Sequence, residues 1–181
     1  MGRLRTPVGN LPTVKIEREL LDIDETLRLH RFGSSDPTCR QAPGLFAKAF
    51  DTPEGPCTLA IRQAHHHYDI ETYGPGQSWV RERVGDMLHP RDPPMPNLAP
   101  PVLKKLDKLY RGLRVIPVLW PADVALAYVL QQRVRYQEAA QQYRRMCQAR
   151  PRPAPGAGGL LLPPRPQDFA LPHLRSRQSP E

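Results

Sequence analysis

With 181 residues the chain is long enough for one domain, or one and a half, around a buried core. Its 26 Lys and Arg outnumber 18 Asp and Glu, and the formal charge of +8 favours polyanionic partners without requiring one. Cys39, Cys57 and Cys147 are odd in number and lack CxxC spacing, which argues against a disulfide scaffold and a zinc site and fits a reducing, cytoplasmic setting. No apolar run nears the ~20 residues that span a bilayer, and MGRLRTPVGN lacks the apolar stretch of a signal peptide, so no membrane partner is expected.

Residues 1–12 read as an irregular basic lead-in. Val14 and Ile16 then alternate with Lys15 and Glu17 as in a short strand with one buried face. Asp22 and Glu25 have capping-box spacing, and a brief helical turn around Leu27 to Leu29 is broken by Gly33 and Pro37. From Gly44 to Phe50, Leu45, Ala47 and Ala49 share one strand face, with Phe46, Lys48 and Phe50 on the other. DTPEGP supplies turn chemistry, and Cys57, Leu59 and Ile61 resume the alternation, as a hairpin requires. YDIETY continues the period, so residues 13–90 are expected to form a small antiparallel sheet domain. Its cover is a helix that Ser78 could cap, carrying Trp79, Val80, Arg83, Val84, Met87 and Leu88 on one stripe.

The proline-rich HPRDPPMPNLAPP cannot continue a helix, and residues 91–101 are expected to join two structural units. Leu103, Leu106, Leu109, Tyr110 and Leu113 form the next apolar stripe, with Lys104, Lys105, Lys108 and Arg111 on the remaining surface. From Trp120 to Gln148 the spacing predicts one helix or two in succession, started by Pro121 and Asp123 and ended among Arg144, Arg145 and Arg150. Gln131, Gln132, Arg133 and Arg135 interrupt its middle with polar groups. On the residues alone they are a solvated polar stripe on a packed helix. Residues 151–181 carry so much Pro and Gly that a disordered tail is expected, with at most one turn near Gln167.

DPT (Asp36 to Thr38), DTPEGPCTL (Asp51 to Leu59), YGPGQ (Tyr73 to Gln77), GLR (Gly112 to Arg114) and VLQQRV (Val129 to Val134), in this order, resemble the 3-methyladenine DNA glycosylases of the helix-hairpin-helix superfamily. The resemblance runs from about residue 15 to about residue 168. It implies an α+β fold, with a small antiparallel sheet and covering helices followed, over residues 102–150, by the first helices of an all-α glycosylase domain. It also implies an enzyme that flips an alkylated nucleotide of double-stranded DNA into a pocket and hydrolyses its N-glycosidic bond. Gln131, Gln132 and Arg133 would then lie at the minor groove, propping the gap left by the flipped nucleotide. Independently of the resemblance, the basic set Lys104, Lys105, Lys108, Arg111, Arg144 and Arg145 could meet phosphates, with a solvated helical surface as the alternative.

One part of the family pattern is missing. The Gly-rich hairpin and the aspartate that follows it have no counterpart before Glu181, and the resemblance fades after Ala170. The sequence therefore reads as an amino-terminal portion, without a catalytic residue of its own, and inactive by itself because nothing stabilises the oxocarbenium-like sugar. A monomer is expected, with no cofactor. His65, His66 and His67 alternate across a strand rather than converge, so no metal is expected. Two other readings stay open: a non-catalytic basic DNA-binding or regulatory protein, and an unrelated α+β interaction module.

Overall fold

The computed structural model of the chain describes residues 14–17, 21–88, 100–110, 112–156 and 158–169. The lead-in over 1–12, the joint up to residue 99 and the tail beyond residue 169 lie outside the described residues. Five strands, β1 (Val14–Glu17), β2 (Cys39–Ala42), β3 (Leu45–Thr52), β4 (Gly55–Gln63) and β5 (His67–Tyr73), form one antiparallel sheet in the order β1-β5-β4-β3-β2. The β3–β4 register closes on Thr52 opposite Gly55, where Gly55 takes φ +113° and the Thr52 hydroxyl donates to the Gly55 carbonyl at 2.7 Å. The DTPEGP turn is thus built from the residues that suggested it. β2 has no counterpart among the expected strands. CRQA carries only one buried residue, Cys39, and its pairing with β3 is what makes it a strand.

Alternation along the strands sends Phe46, Phe50, Leu59, Ile61, Tyr68 and Ile70 to one face, where they meet α1 (Ile23–Leu27) and α2 (Gln77–Leu88). Each such side chain, fully buried, contributes ~1.5–3 kcal/mol. Asp22 caps α1 by accepting the Glu25 N–H at 3.1 Å, as its spacing indicated, though the helix begins at Ile23 rather than at Leu27. α2 covers β4 and β5 with Trp79, Val80, Val84, Met87 and Leu88 of the expected stripe, whereas Arg83 is exposed and lays its guanidinium over the Trp79 ring, 4.3 Å from the centroid. Ser78 is not its cap: it lies in the first turn, and the Val80 N–H bonds to the Gly76 carbonyl.

This core runs past the proline-rich joint. Ile116 and Leu119 belong to it, and Trp120 meets Trp79 edge to face at 5.5 Å between ring centroids. Gly112 seats the segment, since its carbonyl accepts the Asp22 N–H at 2.7 Å and a Cβ at this position would lie 2.7 Å from the Asp22 nitrogen.

The opposite face of the sheet corrects an expectation. Disorder over 151–181 does not hold for its described part, because the described residues of 151–162 form a strap whose Leu160 and Leu162 bury Ala49. Pro153 bridges to Leu161, Thr58 donates to the Pro155 carbonyl at 2.7 Å, and a short 3-10 helix spans Pro166–Phe169. Asp51 binds Arg152 at 2.8 Å and Arg165 at 2.5 Å. Proline and glycine preclude helix or long strand here, yet they leave a chain stiff enough to be fixed by side-chain bonds.

Three further helices follow: α3 (Pro101–Leu109), α4 (Pro121–Leu130) and α5 (Tyr136–Ala149). α3 buries none of its residues, and its apolar stripe, Leu106 and Leu109 included, faces solvent. α4 and α5 pack on each other over a second small core of Phe32, Ala139, Tyr143 and Cys147, flanked by Leu126, Leu130, Val134 and Leu161.

Candidate nucleic-acid interface

Gln131, Gln132 and Arg133 are not in mid-helix. They form the turn that separates α4 from α5, so of the two arrangements allowed by the sequence, two helices in succession is the one adopted. The Gln131 N–H still bonds to the Ala127 carbonyl at 3.1 Å, and its side-chain amide donates to the same oxygen at 3.1 Å. The Gln132 N–H reaches the Val129 carbonyl at 3.2 Å, and Arg133 then reverses the chain with φ +65°, the one non-glycine positive φ among the described residues. A side chain in this left-handed conformation costs of order 1 kcal/mol, and the packing around it must hold it there. Leu130 and Val134 supply that packing by entering the second core on either side. Gln132 and Arg133 are exposed and Gln131 is half-buried, so the turn presents an amide and a guanidinium outward.

The loop that the sequence marks only by the breakers Gly33 and Pro37 and by the DPT motif ties the α4–α5 pair to the sheet. Phe32 meets Tyr143 and Tyr136 edge to face at 5.3 and 5.5 Å, and the Gly33 N–H donates to the Tyr136 hydroxyl at 2.8 Å. Gly33 has φ +85°, and a Cβ there would stand 2.8 Å from the Ala140 Cβ. The loop is in turn held by Asp36, whose carboxylate accepts the N–H groups of Phe32 and Thr38 and the Thr38 hydroxyl at 2.7–2.9 Å. The DPT motif is therefore a structural clamp beneath the turn.

Lys104 and Lys105 are exposed on α3 and make no ion pair among the described residues. They stand on a different element from the turn, as do the exposed Arg144 and Arg145 farther along α5. The side chain of Asp123 lies outside what is described.

Burial pushes the Cys39, Cys57 and Cys147 thiols up to about 12, which keeps them protonated and unreactive at neutral pH. Burial, with Lys48 adding repulsion, lowers His30 to about 4. For Asp51 burial is the largest influence and acts upward, but Arg165 and Arg152 together outweigh it and hold the carboxyl below its usual range. Among the described residues no three His, Cys, Asp or Glu side chains stand close enough to hold a metal, and His67 is engaged with Asp69 at 3.0 Å.

The chain is thus an α+β protein whose sheet precedes most of its helices, with an exposed polar turn between the last two. Among solved structures, that of MBOgg1 in complex with a low-affinity DNA ligand is similar in fold, at TM-score 0.53 and 11% identity, over 92% of this chain and 55% of that one. The chain therefore spans about half the length of that protein. No family model and no curated protein sequence matches it. No helix among the described residues is long and apolar enough to cross a membrane.

Proposed function

We propose that the chain is the DNA-binding, amino-terminal portion of a base-excision glycosylase for alkylated bases such as 3-methyladenine. The observation that carries this reading is the exposed Gln131–Arg133 turn, held in a left-handed conformation at Arg133 by a packed helix pair. It lies in a fold that resembles a DNA-bound structure. An outward amide and guanidinium suit the minor groove beside an extruded nucleotide, because both are donors at the edge of the gap. Lys104 and Lys105 add phosphate contacts from α3. The division into a sheet domain over 13–90, a joint over 91–101 and glycosylase helices over 102–150 belongs to the same proposal, as does a monomeric, cytoplasmic protein.

The test is duplex binding at two salt concentrations, with undamaged DNA and DNA carrying an abasic analogue opposite the turn. The polypeptide is expected to prefer the abasic duplex and to lose affinity steeply between 50 and 200 mM salt, by ~10-fold or more for a few phosphate contacts. Equal binding to both duplexes would reduce the reading to non-specific DNA binding. No binding at low salt would favour an unrelated interaction module.

A further inference from the structure

Between Arg28 and Ser35 only Phe32 is buried, so a local opening of this stretch exposes one core side chain. Leu29 is 76% exposed on the 3-10 turn Arg28–His30, which buries none of its residues, and Ser34 and Ser35 are exposed where the loop leaves Gly33. Arg31 lies three residues before Ser34 and Leu29 five before it, in LHRFGS. An apolar residue, an arginine and a hydroxyl at this spacing suit a serine kinase whose peptide groove has an apolar pocket for the first and carboxylates for the second.

The group that such an enzyme adds has a seat ready. A cavity of about 400 Å³ opens between this loop and α5, with Ser34 and Ser35 on one wall and Gln137, Gln141 and Arg144 on the other. None of these five side chains makes a hydrogen bond or ion pair with a described residue, and no carboxylate lines the cavity. Gly33, at φ +85°, brings the loop against α5, since a Cβ there would stand 2.8 Å from the Ala140 Cβ. Ser34 follows ~3.8 Å along the chain. Arg144 lies one turn beyond Ala140 on the same helix face, with roughly 5–6 Å between Cβ atoms. A phosphate on Ser34 is therefore within reach of the Arg144 guanidinium, which can donate to two of its oxygens, and of the glutamine amides. Ser35 is the poorer acceptor, because it adjoins Asp36, whose buried carboxylate already holds the loop through the Phe32 and Thr38 N–H groups.

We infer that Ser34 is a phosphorylation site and that its phosphate closes the cavity by binding Arg144. In the transfer the Ser34 Oγ attacks the γ-phosphorus of ATP held by the kinase. The Oγ–P bond forms as the bond from phosphorus to the bridging oxygen breaks, ADP leaves, and the hydroxyl proton passes to the kinase's base, with no change of oxidation state. The added charge, about −1.5 to −2 at neutral pH, ties the loop to α5 and cancels a guanidinium on the helix that follows the Gln131–Arg133 turn. Weaker duplex binding is the consequence, and this consequence alone rests on the DNA-binding reading.

The test begins with the 181-residue polypeptide and a free peptide spanning 28–38, each treated with a calmodulin-dependent serine kinase and ATP and read by mass spectrometry. Phosphate is expected on Ser34 of both, absent from that position in Ser34→Ala and retained in Ser35→Ala. A polypeptide left unmodified at Ser34, whether or not the peptide reacts, overturns the site. Phosphoserine incorporated at Ser34 during translation then tests the contact by phosphorus NMR. Its titration midpoint is expected below the ordinary pH ~6, with Arg144→Gln returning it towards that value, and the melting temperature is expected to rise by about 2–4 °C. A midpoint that Arg144→Gln leaves in place, in a variant that circular dichroism shows to be folded, overturns the contact. Duplex binding at about 50 mM salt is expected to weaken ~10-fold on phosphorylation. Unchanged duplex binding with the contact intact overturns the regulation and spares the site. An unmodified polypeptide that ignores DNA at low salt overturns the DNA-binding reading instead, and the titration still decides the contact.

Discussion

Gly112 shows how one missing methyl group can hold a unit closed. Because its carbonyl accepts the Asp22 N–H and a Cβ would fall 2.7 Å from that nitrogen, Gly112→Ala must separate the post-joint segment from the start of α1. A loss of about 1–3 kcal/mol in urea unfolding is expected, the range for a steric insertion into a packed site. His30 gives the pH dependence its sign. Its folded pKa, about 4, lies below the unfolded 6.5, so the folded state binds fewer protons and stability falls as pH drops from about 6.5 towards 4. His30→Leu is expected to flatten that slope, read from denaturation midpoints at about pH 7 and about pH 5. Asp51 acts in a lower window, because its pKa is lowered from 3.8 and its contribution, whole at neutral pH, disappears only as acid protonates it. Asp51→Asn is expected to cost about 1–2 kcal/mol at neutral pH, kept small by the partial exposure of Arg165, and to loosen the strap over 151–162, read as faster amide exchange at Leu160 and Leu162.

The α4–α5 turn separates stability from binding. Arg133 occupies a backbone conformation that glycine adopts without strain, so Arg133→Gly relieves that cost while adding unfolded-state entropy. Its melting temperature is expected to stay within a few degrees of the parent's, yet its affinity for duplex DNA is expected to fall. A variant that unfolded early would show that the guanidinium serves the fold. α3 behaves differently. It buries nothing, so Lys104→Gln with Lys105→Gln is expected to leave stability unchanged within about 0.5 kcal/mol and to lower the salt slope of duplex binding by about one unit for each phosphate that goes unneutralised.

Taken whole, the molecule is a sheet clasped from two sides, by α1 and α2 on one face and by the 151–162 strap on the other. The loop around Phe32 ties it to the α4–α5 pair. This arrangement places the polar turn on a helix pair that is packed against the Phe32 loop. The polypeptide, assayed by itself on duplex DNA containing 3-methyladenine, is expected to release no free base. Release above the protein-free background would overturn that expectation.

Much of this was legible in the chain because it is set locally. Period-two alternation marked β1, β3, β4 and β5, the Asp22 cap and the DTPEGP turn announced themselves by spacing, and the apolar stripe of α2 identified the cover. The Gln131–Arg133 stretch was likewise visible as a polar interruption, although the residues alone read as a stripe on a helix and its link to the minor groove came from the family resemblance. What the sequence could not express is who meets whom across long separations. β2 is a strand through its pairing with β3, the strap over 151–162 is ordered through Ala49 and Asp51, and the cavity by α5 exists because Gly33 lies against Ala140. Each depends on residues far apart in the chain, and no local period records such a meeting: its energy appears only once the partners have been brought together.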